Sequence, residues 1–167
     1  MTTVRLLFTL LLPLFLVLQT TLAAAQGTNV AFGTIRQDTN LPVEVTSDNL
    51  SVDQETGVAE FTGNVLIGQG EMRLSAPRVL VIYDQDNRGI ARMEATGGVT
   101  LVSGPDAAEA DRADYSIENG TIVMIGNVLL DQGPNALSAE RMDVQLDAGT
   151  AQMSGRVKTI IQSASDN

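Results

Sequence analysis

Cysteine, histidine and tryptophan are all missing from this chain of 167 residues, and each absence removes a class of function. Without cysteine there is no disulfide framework and no amino-terminal thiol to carry a lipid. Without histidine the commonest general base and metal ligand is gone, and Ser103 and Ser138 have no partner to activate them as nucleophiles. Basic residues are also scarce: ten Lys and Arg stand against twenty Asp and Glu, a net charge of −10. That balance opposes nucleic acid and anionic bilayer surfaces as electrostatic partners, so no nucleic-acid partner is expected. Sustained helical periodicity is lacking as well. From Val43 onward the chain runs in short alternating segments split by turn residues, which is the texture of an all-β protein.

What could still be chemistry is weak. Asp84-Gln85-Asp86-Asn87-Arg88-Gly89 resembles a calcium loop, yet the glutamate that should follow at the proper spacing is absent. It reads as an acidic hairpin turn. Gly68-Gln69-Gly70 is a hairpin rather than a phosphate cradle, since no helix follows it. Paired acids such as Asp111 and Asp114 have the residue types of glycoside chemistry, but they lie on a polar strand face where acids are ordinarily just hydrated. No enzyme activity, metal or cofactor is expected.

The one long apolar run is at the start. Arg5 precedes an apolar stretch from Leu6 to Leu18, and Ala23-Ala24-Ala25 precede Gln26, the three parts of a secretory signal. The run carries Pro13 and falls short of the roughly twenty residues of a membrane span. Cleavage after Ala25 is expected, with an uncleaved anchor as the alternative. Cleavage would leave nine basic and twenty acidic residues, a net −11. The expected organisation is a signal at 1–25, a loose lead-in at 26–42 with room for one short strand, one domain at 43–161 and a polar tail at 162–167.

Within the domain a unit recurs. Phe61-Thr62-Gly63-Asn64-Val65 returns as Ala95-Thr96-Gly97-Gly98-Val99, Met124-Ile125-Gly126-Asn127-Val128 and Met153-Ser154-Gly155-Arg156-Val157, the glycines spaced 34, 29 and 29 apart. An upstream glycine precedes each of them: Gly57, Gly89, Gly120 and Gly149. Ahead of these pairs stand Ser47-Asp48-Asn49, Ala76-Pro77-Arg78, Ala110-Asp111-Arg112 and Ala139-Glu140-Arg141. Each unit reads as strand, turn, strand, with further turns at Gly68-Gln69-Gly70, Gly104-Pro105 and Gly133-Pro134 between units.

Alternation assigns the faces, because side chains two apart on a strand point the same way. One face carries Leu50, Val52, Val79, Val81, Tyr83, Tyr115, Met142 and Val144 from the first strands. The second strands add Phe61, Val65, Met93, Val99, Ile122, Met124, Val128, Met153 and Val157. The other face is polar. Its arginines, Arg78, Arg112 and Arg141, read as solvated partners of Asp111, Asp114, Glu140 and Asp143, pairs worth little when exposed. A sheet with one apolar face must curl over to cover it, forming a jelly roll or a folded channel. Its inner face is short of large aromatics and rich in Ala, Val and Met. Such residues either leave room for alkyl chains or interdigitate into a dry core.

The run from Ser47 to Val65, with its echoes at Ala110 to Val128 and Ala139 to Val157, resembles the OstA-like repeat of the LptA family of periplasmic lipopolysaccharide-transport proteins. The resemblance covers about residues 43–161 and departs in the second unit, which has Gly97-Gly98 and a longer hairpin through Asp84 to Gly89. It implies a twisted, slightly open antiparallel β-jelly roll located in the periplasm. The apolar positions named above would then form a groove for the acyl chains of lipid A. Implied partners are lipopolysaccharide, LptC-like and LptD-like β-jelly rolls at the inner and outer membranes, and further copies stacked head to tail. Two alternatives are a membrane-anchored LptC-like component and a structural β-repeat module with a dry core. Exposed edges near Val43 to Val45 and Val157 to Ile161 are the expected docking strands.

Overall fold

The computed structural model describes residues 28–33, 40–84 and 89–161. Among them are eleven strands and no helix: β1 (Thr28–Ala31), β2 (Glu44–Thr46), β3 (Asn49–Asp53), β4 (Val58–Gln69), β5 (Met72–Tyr83), β6 (Ile90–Ser103), β7 (Asp106–Ser116), β8 (Thr121–Gln132), β9 (Asn135–Gln145), β10 (Thr150–Ser154) and β11 (Lys158–Ile160). All pairs are antiparallel, and β4 to β9 form an unbroken meander in which every strand neighbours the next in sequence. At one margin β3 and β2 pair with successive parts of β4. At the other, β10 and β11 pair with successive parts of β9, and β1 adds to β10. The sheet does not close on itself.

Each long strand is broken near its middle, and the breaks line up. Registers shift between Thr62 and Val65, Ser75 and Arg78, Thr96 and Val99, Glu109 and Arg112, and Ile125 and Val128. On β4, β6 and β8 the break is the repeated Gly-Asn or Gly-Gly step, with both residues at positive φ: Gly63 (78°) and Asn64 (46°), Gly97 and Gly98 (both 95°), Gly126 (83°) and Asn127 (48°). On β5, β7 and β9 the break is two successive outward residues, Pro77-Arg78, Asp111-Arg112 and Glu140-Arg141. An extra residue on one strand of a pair bends that strand and strengthens its twist. Repeated across neighbouring strands, the bend creases the sheet into two half-sheets.

The first half-sheet holds β1, β3, β10 and the adjoining parts of β4 to β9; the second holds β2, β11 and the remainder. Their inner faces share one hydrophobic core. Three Val/Ala pairs mark the crease on the inside, Val65 with Ala76, Val99 with Ala110 and Val128 with Ala139. A small residue opposite each valine lets the halves converge there. The recurring Ala-x-Arg and Gly-x-Val steps of the sequence are thus the two sides of one hinge line.

The segment read as a lead-in supplies β1, and Phe32 just beyond it is buried in the core. Residues 1–25, the tail from 162 and most of the acidic hairpin, 85–88, lie outside the described residues, as does Ile35.

Candidate functional site: the space between the half-sheets

Cross-strand register carries the apolar residues around the molecule in rows. One row on the first half-sheet runs Leu50, Phe61, Val79, Ala95, Ala113, Met124, Met142, Met153. A parallel row runs Val52, Ala59, Val81, Met93, Tyr115, Ile122, Val144, Ala151, Val30. Facing them on the second half-sheet is Val45, Ile67, Leu74, Leu101, Ala108, Leu130, Leu137. Small side chains dominate the middle of the first row, and flexible methionines dominate the β8 to β10 end.

Of the seventeen positions assigned to the apolar face from sequence, Val65, Val79, Val81, Met93, Val99, Tyr115, Ile122, Met124, Val128, Met142, Val144 and Met153 are fully buried between the halves. Phe61 and Val157 are half-buried against the same core. Leu50, Val52 and Tyr83 depart from this, at 57, 58 and 41 % exposure. Strand β3 has a neighbour only on its β4 side, so its inner residues lie in the rows with little to cover them. Tyr83 follows a register shift after Ile82 that takes it out of the alternation.

An open groove is not what the structure shows in this state. The inner residues of β4 to β10 expose 0–2 % of their surface in most cases, so a water-sized sphere finds no room beside them. A hollow of about 490 Å³ sits on the outer side of the crease, its lining including Gly63, Asn64, Ser75, Pro77, Gly98 and Thr100. The interior is therefore filled by the protein's own side chains along its length and uncovered at the β3 margin.

Sequence reasoning missed part of this interior. Met72, Leu74, Ala76, Ala108, Ala110, Leu137 and Ala139 are buried second-half residues, and Met72 makes all five methionines after Met1 inward. Polar groups also enter the core. The Tyr115 hydroxyl donates to Gln69 Oε1, and Gln69 Nε2 donates to the Leu41 carbonyl at 2.9 Å. Tyr115 lies on the first half-sheet and Gln69 on the second, so this chain ties the free margins of the halves together. Burial, with Asp147 adding charge repulsion, pushes the Tyr115 phenol up to about 12, with its hydrogen bond to Gln69 acting in the opposite direction.

On the outer crease three of the four units repeat a carboxylate clasp, the second having Gly98 and Pro77 in its place. Asn64 Nδ2 donates to Asp48 Oδ2 at 2.8 Å, Asn127 Nδ2 to Asp111 Oδ2 at 3.0 Å, and Arg156 Nε to Glu140 Oε1 at 2.8 Å. The arginine expectation is thereby revised. Arg141 does pair with Asp143, but Arg78 pairs with Glu60, Asp111 binds an asparagine, and Arg112 makes no ion pair among the described residues. Among the described residues no group of acids is arranged to hold a metal ion.

A single antiparallel sheet creased along a repeated glycine step, with its apolar faces folded together, defines an open β-jelly roll of the OstA-like kind. Residues 44–150 match the family described as LptA/(LptD N-terminal domain) LPS transport protein, and the chain belongs to that family. It is 32 % identical over 111 residues to an uncharacterized protein of Rhizobium meliloti (strain 1021), covering 62 % of this chain and 60 % of that one. To the lipopolysaccharide export system protein LptA of Escherichia coli (strain K12) it is 28 % identical over 122 residues, 70 % of this chain and 64 % of that one. The chain thus spans about three fifths of the length of the curated relatives it matches. Its fold matches the crystal structure of LptH, the LptA-homologous periplasmic component of the conserved lipopolysaccharide transport device from Pseudomonas aeruginosa. The TM-score is 0.67 at 19 % identity, covering 76 % of this chain and 99 % of that one.

Proposed function

We propose that this protein is a periplasmic carrier that shelters the acyl chains of lipopolysaccharide between its half-sheets on their way from the inner to the outer membrane. The carrying observation is the pair of unbroken apolar rows on the first half-sheet that run across the molecule from β10 or β1 to an uncovered margin at β3, in a chain of the lipopolysaccharide-transport family. The need for such a carrier is physical. Each methylene exposed to water costs about 0.8 kcal/mol, so an acyl chain of about a dozen carbons faces on the order of 10 kcal/mol in crossing unaided. Phosphates can stay in solvent while the chains are covered, which reconciles an anionic ligand with an acidic protein.

The same reading has residues 1–25 removed on export and β2, β3 and β11 pairing with copies of this chain or with β-jelly rolls at either membrane. Leu50 and Val52 at one margin and Ile160 and Ile161 at the other are exposed apolar residues suited to such docking. Against it stands the reading of a structural β-repeat with a dry core, which the filled interior favours. Photo-crosslinkers decide between them. Placed at Phe61, Met124 or Val144 they capture lipopolysaccharide and at Arg112 they do not; equal capture on both faces, or none inside, leaves the dry-core reading standing.

A further inference from the structure

A filled interior must open before it can hold an alkyl chain, and the structure shows where the halves are fastened at their free margins. Toward β4 the fastening is the buried Tyr115–Gln69–Leu41 chain. At the other end it is the segment 28–33. Strand β1 pairs through four residues with β10 of the first half-sheet, and Phe32 N–H donates to the Gly149 carbonyl at 3.1 Å. Phe32 then enters the core, and the next residue is already on the second half-sheet: Gly33 N–H donates to Asp106 Oδ2 at 2.7 Å. Gln132 Nε2 completes the crossing, donating to the Ala31 carbonyl at 2.6 Å and to Asp106 Oδ2 at 3.0 Å.

Two features single this crossing out. Asp106 is a carboxylate exposed by only 7 %, at the margin of an apolar interior, and accepts from Gly33 and Gln132 among the described residues. Gly33 itself is left-handed (φ 79°), and a Cβ there would lie 2.6 Å from Ser103 Oγ, so the crossing is built tight around a residue without a side chain. Meanwhile β1 is an edge strand with one neighbour, the kind of element that opens locally at least cost.

We infer that residues 28–33 are a removable strap over the mouth between the half-sheets, with Phe32 filling space that an alkyl chain takes when the strap leaves. This inference rests on the carrier reading and adds the route of admission to it. Release breaks the Asp106 and Gln132 contacts and withdraws Phe32, exposing the β8 to β10 interior where Met124, Met142 and Met153 can adapt to a new apolar partner.

The test uses the chain's lack of cysteine. A Cβ at position 33 lies 3.4 Å from Ser103 Cβ, close to the roughly 3.5–4.5 Å spanned by a disulfide. In the Gly33→Cys/Ser103→Cys protein, uptake of a fluorescent dodecanoyl probe is followed before and after reduction. Oxidised protein is expected to take up none, and reductant is expected to restore uptake. Equal uptake in both states overturns the strap and points to admission from the β3 margin.

Should the cysteine pair fail to fold, Gln132→Ala decides. Losing the bonds to Ala31 and Asp106 should speed uptake about three- to tenfold and accelerate amide exchange at Phe32. Faster exchange with unchanged uptake also overturns the strap. A wild-type protein that takes up no probe, and whose inner crosslinkers capture no lipopolysaccharide, sinks the carrier reading itself.

Discussion

Replacing Gly126 by alanine tests whether the crease is what shapes the molecule. The residue sits at φ 83°, where an L side chain costs about 1–2 kcal/mol. A Cβ there would also lie 2.3 Å from Asp111 Oδ2 and 2.9 Å from its Cγ. Rotating the Asp111 carboxylate away relieves that overlap but gives up its bond from Asn127 Nδ2, worth about 1 kcal/mol. The total is about 2–3 kcal/mol, or a fall in Tm of roughly 6–9 °C at about 3 °C per kcal/mol for a domain of this size. Gly98→Ala is the control, because at φ 95° it meets nothing within 4 Å and should carry only the backbone term, about 1–2 kcal/mol. Adding Asp111→Ala to Gly126→Ala should cost nothing more, since the bond is already lost and the overlap goes with it. Thermal melts followed by far-ultraviolet circular dichroism measure these three variants, Asp111→Ala alone and the wild type. Equal losses in Gly126→Ala and Gly98→Ala, or strict additivity in the double variant, would refute the account of the clasp.

Tyr115→Phe should destabilise the protein by about 1–3 kcal/mol by leaving Gln69 Oε1 without its buried donor. It should also change the alkaline profile. With the folded phenol pushed to about 12 and the unfolded one near 10, the native state holds its proton longer. Stability from this group is therefore full below pH ~10 and lost by pH ~12, and that fall should be shallower in Tyr115→Phe. Met142→Ala removes a fully buried side chain from the β9 part of the core and should cost about 2–5 kcal/mol; on the carrier reading a dodecanoyl probe restores part of the lost Tm, and no shift with the probe would count against that reading.

How far the sequence discloses this molecule depends on what each signal can carry. Period-two alternation assigns Val79, Val81, Met124 and Val144 to the core correctly because each lies in a stretch with unbroken register. The recurring glycines place Phe61 and Val65 on one face, which holds because three residues of β4, Thr62 to Asn64, stand against two of β5, Pro77 and Arg78, so β4 keeps its alternation across the crease and β5 loses it. The opposite strands are harder. Pro77-Arg78 reverses the alternation in β5, so the even-numbered inward residues Met72, Leu74 and Ala76 give way to Val79 and Val81. A unit begun at Ala76 cuts off the earlier half. Alternation also gives a side and not a cover, so Leu50 and Val52 join the right rows yet stand exposed. Phe32 has no periodic neighbours to mark it, and Asp106 reads as a turn residue because its partner Gly33 is 73 positions away in sequence.

On the carrier reading, the filled interior bears on how cargo would be taken up and handed on. An empty open trough would expose apolar surface at about 25 cal/mol per Å², so it would be unstable or would recruit any greasy surface nearby. Closing the half-sheets on each other removes that cost. Loading then exchanges contacts among Met124, Met142, Met153 and their neighbours for contacts between those residues and an alkyl chain, apolar for apolar. The exchange changes little net area in water for the protein, while the lipid keeps most of the benefit of being covered. A site balanced in this way binds well enough to carry and weakly enough to release, and the balance is set by the hinge. On that reading the crease is where the halves would part without unfolding either one, since its left-handed residues are the Gly-Asn and Gly-Gly steps outside the apolar rows. The polar ties across the mouth, Tyr115 to Gln69 and Asp106 to Gly33, are then the contacts that would set how readily the halves part.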